Sequence, residues 1–137
     1  MDIAITPANV IPSAGASFVH GRIAGAAITA GQPVYKDTDG TIKPANATGA
    51  APICNVIGIA VNNAAVGQPV SYVTADPALA LGGTIAAGHA VVASGANTGG
   101  IAPIADVATG WFSTILGVGI GNNKINLNLV AAGVAAP

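Results

Sequence analysis

The chain contains one motif twice, and this repeat limits the folds that it can adopt. The first copy lies within residues 28–74 and the second within residues 85–129. The copies align at seven positions, which pair Ile28 with Ile85, Gly31 with Gly88, Val34 with Val91, Gly40 with Gly99, Ile42 with Ile101, Pro44 with Pro103 and Gly58 with Gly117. Because sequence repeats mark supersecondary units that share a core, the pattern predicts two equivalent β units.

Each copy has the local sequence of a β-hairpin. Gly31 and Gly88 precede short runs of β-favouring residues, and glycine suits a sharp turn because it tolerates positive φ. Turn-forming residues at 37–40 and 97–100 then separate each run from a second one. The sequence therefore predicts two hairpins with the same conformation.

The composition favours an all-β fold. Charged residues make up 7% of the 137 residues, glutamate is absent and leucine is scarce, whereas helical proteins rely on Leu, Glu, Lys and Arg. We expect a single domain over residues 18–137, built from the two repeats, with Asp76-Pro77 as the turn at the end of the first copy. Residues 1–17 lie outside the repeat and are predicted to form an extended N-terminal arm.

Charge and hydropathy exclude several classes of function. A formal net charge of −1 lacks the basic footprint of a nucleic-acid binder. No apolar stretch approaches the roughly 20 residues of a membrane-spanning helix, and the N-terminus lacks the basic region of a secretory signal. We expect synthesis in a cytoplasm and no membrane partner. So few charges also predict a homo-oligomer, in which apolar surface is buried between subunits.

The ionisable residues form no pattern typical of a catalytic, cofactor or metal site. Asp37 and Asp39 resemble the start of a calcium loop, but the later ligands are absent, so a hairpin turn is predicted. His20 and His89 have no cysteine or carboxylate at metal-binding spacing. Cys54 lies in an apolar run and is expected to be a buried structural thiol in a strand. We therefore predict a non-enzymatic protein without catalytic residues, cofactor or metal.

Two apolar groups are candidates for contacts with a neighbouring subunit or a partner. Terminal segments are often loosely held in the free protein, and such a segment can pair with an exposed strand edge on a partner. In the arm the candidates are Ile3, Ile5, Val10 and Ile11. The second group is the aromatic pair Trp111 and Phe112, because aromatic residues anchor interfaces. Packing in the core is the other interpretation of this pair.

Several short segments resemble the small capsid decoration, or cement, proteins of tailed bacteriophages. They read Ile-Thr-Ala-Gly-Gln-Pro-Val-Tyr-Lys-Asp at 28–37, Gly-Ile-Ala-Val-Asn at 58–62, Ala-Val-Gly-Gln-Pro-Val at 65–70 and Gly-Gly-Ile-Ala-Pro-Ile-Ala-Asp at 99–106. The opening at 5–10 and the ending at 129–134 are similar as well, so the resemblance covers nearly the whole chain.

The resemblance implies a structural protein that binds the outer surface of a tailed-phage capsid and stabilises it against internal DNA pressure. It implies a β-clip (β-tulip) fold or small barrel, the major capsid protein as partner, and location in the virion. A homotrimer is favoured and a dimer remains possible. The alternative function is a ligand- or glycan-binding β module of a phage fibre or surface protein, with a site around Trp111, Tyr72 and Asn122-Asn123. An enzyme is a distant third.

Overall fold

Ten strands form one antiparallel sheet in the computed structural model, which describes residues 1–137. They are β1 (Val10–Ile11), β2 (Ser17–Ile23), β3 (Pro33–Lys36), β4 (Ile42–Pro44), β5 (Gly58–Ala60), β6 (Pro69–Leu81), β7 (Ala90–Ala93), β8 (Ile101–Pro103), β9 (Thr114–Gly121) and β10 (Lys124–Ala131). Two short 3₁₀ turns, Pro7–Asn9 and Ile104–Asp106, are the helical segments. The predicted all-β class is confirmed, and the sheet curls into a half-barrel.

The order of the strands reflects the repeat. Across the sheet the order is β4-β3-β5-β6-β10-β9-β7-β8. Starting from β6, the strands of the first copy therefore follow as β6-β5-β3-β4. Starting from β10, the strands of the second copy follow in the equivalent order, β10-β9-β7-β8. Equivalent residues also have equivalent neighbours, with Val34 opposite Pro44 and Gly58, and Val91 opposite Pro103 and Gly117. The predicted alignment of the two copies is therefore confirmed at the level of strand register.

The turns that precede the two hairpins share one conformation. The φ angle is +95° at Gly31 and +80° at Gly88, a region that favours glycine. The N–H of Gly31 donates to the carbonyl of Ala60 at 2.8 Å, and that of Gly88 donates to the carbonyl of Gly119 at 2.7 Å. Each turn is thus bonded to the strand that lies beside its own hairpin.

The largest hydrophobic cluster draws residues from both copies. It contains eleven buried residues, among them Ile59 and Val73 of the first copy and Leu116 and Leu127 of the second. A second cluster of eight buried residues lies within the first copy and its preceding segment. Because the main cluster contains residues of both copies, the two repeats share one hydrophobic core.

Backbone hydrogen bonds connect the two ends of the sheet. The carbonyl of Ala45, just after β4, accepts the N–H of Gly99 at 2.7 Å. Two residues later, Ala47 donates to the carbonyl of Ser94 at 3.0 Å and accepts the N–H of Phe112 at 2.7 Å. The segment after β4 therefore bonds to the hairpin of the second copy, which holds the curled sheet together.

The expected turn at Asp76-Pro77 is wrong, because β6 runs through it without interruption. The register shifts here, opposite residues 125–127 of β10, and proline is tolerated where a bulge requires no ladder N–H. The carboxylate of Asp76 is 1% exposed. It accepts hydrogen bonds from the N–H groups of Ser13 (2.8 Å) and Ala78 (2.9 Å) and from the Ser13 hydroxyl. A side chain typical of turns is thus satisfied within a strand.

The first residues of the chain are not loosely held, contrary to the expectation for an arm. Val10 and Ile11 pair with the end of β6, and Val10 is buried. Ile3 and Ile5 pack against the main cluster. The physical reason is the length of β6, because its 13 residues leave an edge beyond β2 that β1 covers.

Candidate functional site

Residues 2–6 lie in a seat that is formed largely by glycine. The seat, here named the N-terminal seat, is defined by Gly31, Gly82, Gly83 and Gly100. A Cβ atom at any of these four positions would lie no more than 2.7 Å from an atom of residues 2–6, which is closer than real Cβ contacts. At Gly82 and Gly83 the near atoms include backbone carbonyl oxygens of Thr6 and Ala4, so the segment can approach the sheet there only because a side chain is absent.

Main-chain hydrogen bonds hold the segment between the outer strand β8 and the end of β6. The N–H of Ile3 donates to the carbonyl of Ile101 at 2.8 Å, and the N–H of Thr6 donates to the carbonyl of Gly82 at 2.9 Å. Residues 3–5 do not form a regular strand. The segment thus satisfies part of an edge that would otherwise be open.

A carboxylate fixes the register of the segment in the seat. Asp2 accepts hydrogen bonds from the hydroxyl of Ser94 at 2.7 Å and from the side-chain amide of Asn97 at 2.9 Å. The Ser94 oxygen also accepts the N–H of Ala96 at 3.0 Å. Because bonds to a charged group are stronger than neutral ones, Asp2 selects one alignment of residues 2–6.

The repeat explains why the seat exists. In the first copy, the N–H of Gly25 donates to the carbonyl of Ile42 at 2.9 Å. The equivalent acceptor in the second copy is Ile101, and it is reached by Ile3 rather than by Gly82, the equivalent of Gly25. The first copy fills this position with its own preceding residues, whereas the second copy leaves it to the N-terminus.

The end of the chain pairs with the segment before β9. The N–H of Ala132 donates to the carbonyl of Ser113 at 2.9 Å, and that of Ala136 donates to the carbonyl of Trp111 at 2.8 Å. Two apolar hollows of about 330 Å³ and about 290 Å³ adjoin this pairing, and both are lined by Ser113 and Ala132. No charged residue lines either hollow.

We name this region the tail surface and define it by Ile104, Phe112, Ser113, Ala132 and Val134. Phe112 is 39% exposed, Ile104 is 47% exposed and Val134 is 69% exposed. The Ser113 hydroxyl is buried and has no hydrogen-bond partner. The tail surface therefore combines apolar side chains at the molecular surface with a polar atom that lacks a partner.

The structure separates the predicted aromatic pair. Trp111 is 7% exposed and packs with Ala47, Val92 and Ala102 in a third core cluster, so the core interpretation applies to it. Phe112 faces outward at the tail surface. The four arm residues also differ, because Val10 is buried, Ile3 and Ile5 are partly buried and Ile11 is 61% exposed. The six predicted contact residues thus do not form one surface.

The residues suggested for a glycan site do not converge. Tyr72 is buried in the cluster of the first copy, and Trp111 belongs to a different cluster. Asn122 and Asn123 form the turn between β9 and β10, with φ of 54° and 58°. They line a separate polar hollow of about 440 Å³ together with residues that include Asn9.

The other residues that were considered for catalysis or metal binding lie in different parts of the structure. His20 is exposed, contacts the Ser71 hydroxyl at 3.0 Å and stacks on a phenylalanine. His89 is exposed in the turn before β7. Cys54 lies in a turn, is only partly buried and lines the larger apolar hollow, so the expected buried position in a strand is wrong. No group of three or more His, Cys, Asp and Glu side chains could hold a metal ion.

Sequence reasoning missed the N-terminal seat, although a signal for it was present. The glycine pairs Gly82-Gly83 and Gly99-Gly100 flank β-favouring runs, and glycine beside a strand often marks a close approach of another backbone. The tail surface had no comparable signal, because its residues come from distant parts of the chain.

The hairpin between β3 and β4 contains a local ion pair. Lys43 donates to the carboxylate of Asp37, and Thr41 donates its hydroxyl and its N–H to Asp39. The hydrogen bond from Lys43 lowers the pKa of Asp37, and those from Thr41 lower the pKa of Asp39. The bond with Asp37 raises the pKa of Lys43. The predicted turn is confirmed, and Lys43 offsets one of its two negative charges.

This ion pair should make a pH-dependent contribution to stability. Because the pKa of Asp37 is lower in the folded chain, the stabilisation is present above its unfolded value and is lost as the pH falls through the folded value. NMR titration should place the Asp37 midpoint below the ordinary aspartate range, and Lys43→Met should raise it. An unchanged midpoint in Lys43→Met would contradict the assigned cause. Lys36→Met, on the same hairpin but outside the ion pair, is the control.

Comparison of the chain with protein-family models, with curated proteins and with solved structures gives no match. The structure contains no helix with the length and hydropathy needed to cross a membrane. The N-terminal seat and the tail surface are therefore the features from which a function can be argued.

Proposed function

We propose that the chain is a structural decoration protein, which binds the outer surface of a tailed-phage capsid as a homo-oligomer and stabilises the capsid. The observation that carries this proposal is the tail surface, where apolar side chains are exposed and no charged residue lines the hollows. The resemblance of the sequence to capsid decoration proteins supplies the kind of partner, the major capsid protein.

The small number of charged residues supports association with other protein chains over a free monomeric state. Of its five aspartates, Asp76 is buried, Asp37 and Asp39 lie near Lys43, and Asp2 is bonded within the seat. The fifth, Asp106, pairs with the N-terminal amine. The acidic charges are thus engaged within the chain, and the apolar surface lacks the charges that discourage protein contacts.

The proposed mechanism is the addition of buried contact area between capsid subunits. An oligomer presents the same tail surface several times. Once one copy is bound, the others act at a high effective concentration, so contacts that are weak singly give strong attachment together. A trimer is favoured over a dimer because the resembling proteins are often trimers at local threefold positions.

Replacing Phe112 should test the role of the tail surface. An aspartate at this position would place a charge among apolar groups, so Phe112→Asp should weaken cosedimentation with capsids by about tenfold or more. Phe18→Asp is the matched control, because Phe18 is 41% exposed on β2, outside the tail surface. Equal binding by Phe112→Asp and the native protein would overturn this assignment.

The oligomeric state has a separate measurement. Light scattering after size exclusion should give a multiple of the 13.0 kDa chain mass, with three favoured over two. A monomer at micromolar concentration would contradict the proposal.

A second candidate function is a ligand- or glycan-binding module of a phage fibre or surface protein. The observation that favours it is the polar hollow of about 440 Å³, which is lined by Thr6, Asn9, Thr84, Asn122 and Asn123 among others. Uncharged amides and hydroxyls can bond to sugar hydroxyls. A glycan array separates the two functions, because specific glycan binding that is lost in Asn122→Ala would favour the second.

A further inference from the structure

We propose that the N-terminal seat is a strand-exchange site, in which residues 2–6 of one copy occupy the seat of a neighbouring copy. The proposal rests on the homo-oligomer proposed above and names the contact that links its subunits. Each copy would give its N-terminal segment to one neighbour and receive a segment from a neighbour. Every seat would then be built from two chains.

The seat has the features of a site for an extended segment. Gly82 and Gly83 leave room for the backbone of an approaching segment, and Gly31 and Gly100 leave room for its side chains. The carbonyls of Ile101 and Gly82 accept main-chain N–H groups. The Asp2 carboxylate adds specificity through Ser94 and Asn97. Backbone bonds with alternate side-chain contacts are the general mode by which a sheet edge binds a strand.

A second copy is the occupant that this seat fits. The contacts made within one chain show that residues 2–6 match it, and another copy carries the same residues. Nearly all partners of Asp2 and Ile3 are more than 90 positions away in the sequence, so nothing local ties the segment to its own chain. The same contacts would form between chains, which is why exchange of identical elements is a low-cost route to assembly.

The connection to the rest of the chain permits the exchange. Residues 7–9 form a single 3₁₀ turn, in which Asn9 donates to the carbonyl of Thr6 at 2.9 Å. Ala8 and Asn9 are exposed, and β1 anchors the chain immediately afterwards. Extending the turn would break this hydrogen bond and the one from the N–H of Val10 to the carbonyl of Pro7, and would leave the pairing of β1 with β6 in place. Three extended residues span about 10 Å, so the receiving seat must belong to a directly adjacent subunit.

Cross-linking distinguishes exchange from folding within one chain. In a Cys54→Ser background, Asp2→Cys with Asn97→Cys places thiols at positions whose native side chains lie 2.9 Å apart. After treatment with a short bifunctional thiol reagent, a denaturing gel should show chains linked into multimers. Cross-linked monomers from a protein that light scattering finds oligomeric would overturn the exchange and leave the proposed function standing. A native monomer would overturn both.

Complementation gives a second and independent readout. Gly83→Val blocks the seat, because its Cβ would lie 2.7 Å from Ile3 Cγ2 and Ala4 O, whereas deletion of residues 2–6 removes the donor but keeps the seat. Exchange predicts that neither variant alone forms the native oligomer and that the mixture forms a one-to-one complex. Ala87→Val, at an exposed position outside the seat, should assemble normally. A mixture that contains only the species of its two components would contradict the proposal.

Discussion

Replacing Gly117 by alanine is expected to destabilise the protein by about 3 kcal/mol or more, the upper range for overpacking a core. A Cβ atom at this position would lie 2.1 Å from the backbone carbonyl oxygen of Asn126. Gly117 belongs to β9, which is paired with β10 on one side and with β7 on the other. The obstacle is therefore backbone between two neighbouring strands, and a change of rotamer cannot relieve it.

Urea unfolding followed by fluorescence would measure this effect, because Trp111 is the single tryptophan and is buried. Gly40→Ala is the control. Nothing lies within 4 Å of a Cβ at Gly40, but its φ is +84°, so the expected cost is only the roughly 1–2 kcal/mol of a left-handed conformation. Equal midpoints for the two variants would show that the close approach in β9 is not a constraint.

Asp76→Ala should destabilise the protein by about 3 kcal/mol, because hydrogen bonds to a charged group contribute about 1.5–3 kcal/mol and unpaired buried donors add a penalty. The substitution leaves the N–H groups of Ser13 and Ala78 without this acceptor. It also releases residues 12–16, which connect β1 to β2. The urea midpoint should fall, and hydrogen exchange should increase in β1.

Asp39→Ala is the matched control for this substitution, since its side chain is 58% exposed and bonds only within its own turn. A much smaller change is expected there. If Asp76→Ala unfolded at the same urea concentration as the native protein, the buried carboxylate would not hold the N-terminal strands.

The predictable part of the fold was local in sequence. Val34 and Val91 could be aligned because a distinctive glycine precedes each and a proline follows in the returning strand, and strand register depends on such spacing. The correct assignment of β class followed from the same short-range pattern. Composition supported it, because a chain so poor in Leu and Glu has little tendency to form helices.

The missed features depend on contacts between distant residues. The local sequence of Asp76-Pro77 predicts a turn, but in the structure Ser13 donates hydrogen bonds that satisfy the carboxylate within a strand. The sequence of residues 2–6 predicts a free arm, but in the structure the N–H of Ile3 donates to the carbonyl of Ile101. Local sequence propensity encodes neither of these two contacts between distant residues. The different burial of the two aromatic residues has a similar cause. Trp111 packs in a core cluster with the distant residue Ala47, whereas Phe112 is exposed.

Each terminal strand of the sheet order has one outer carbonyl occupied, that of Ile42 by Gly25 and that of Ile101 by Ile3. An open edge can recruit further strands without limit, which leads to fibres. Here a short segment of the chain occupies each of these positions. Neither segment can continue as a longer strand along the edge, because Pro7 follows the segment at β8 and the first hairpin follows the segment at β4. Addition of a further strand at these two positions is consequently blocked, which lowers the tendency of the sheet to form fibres at high concentration.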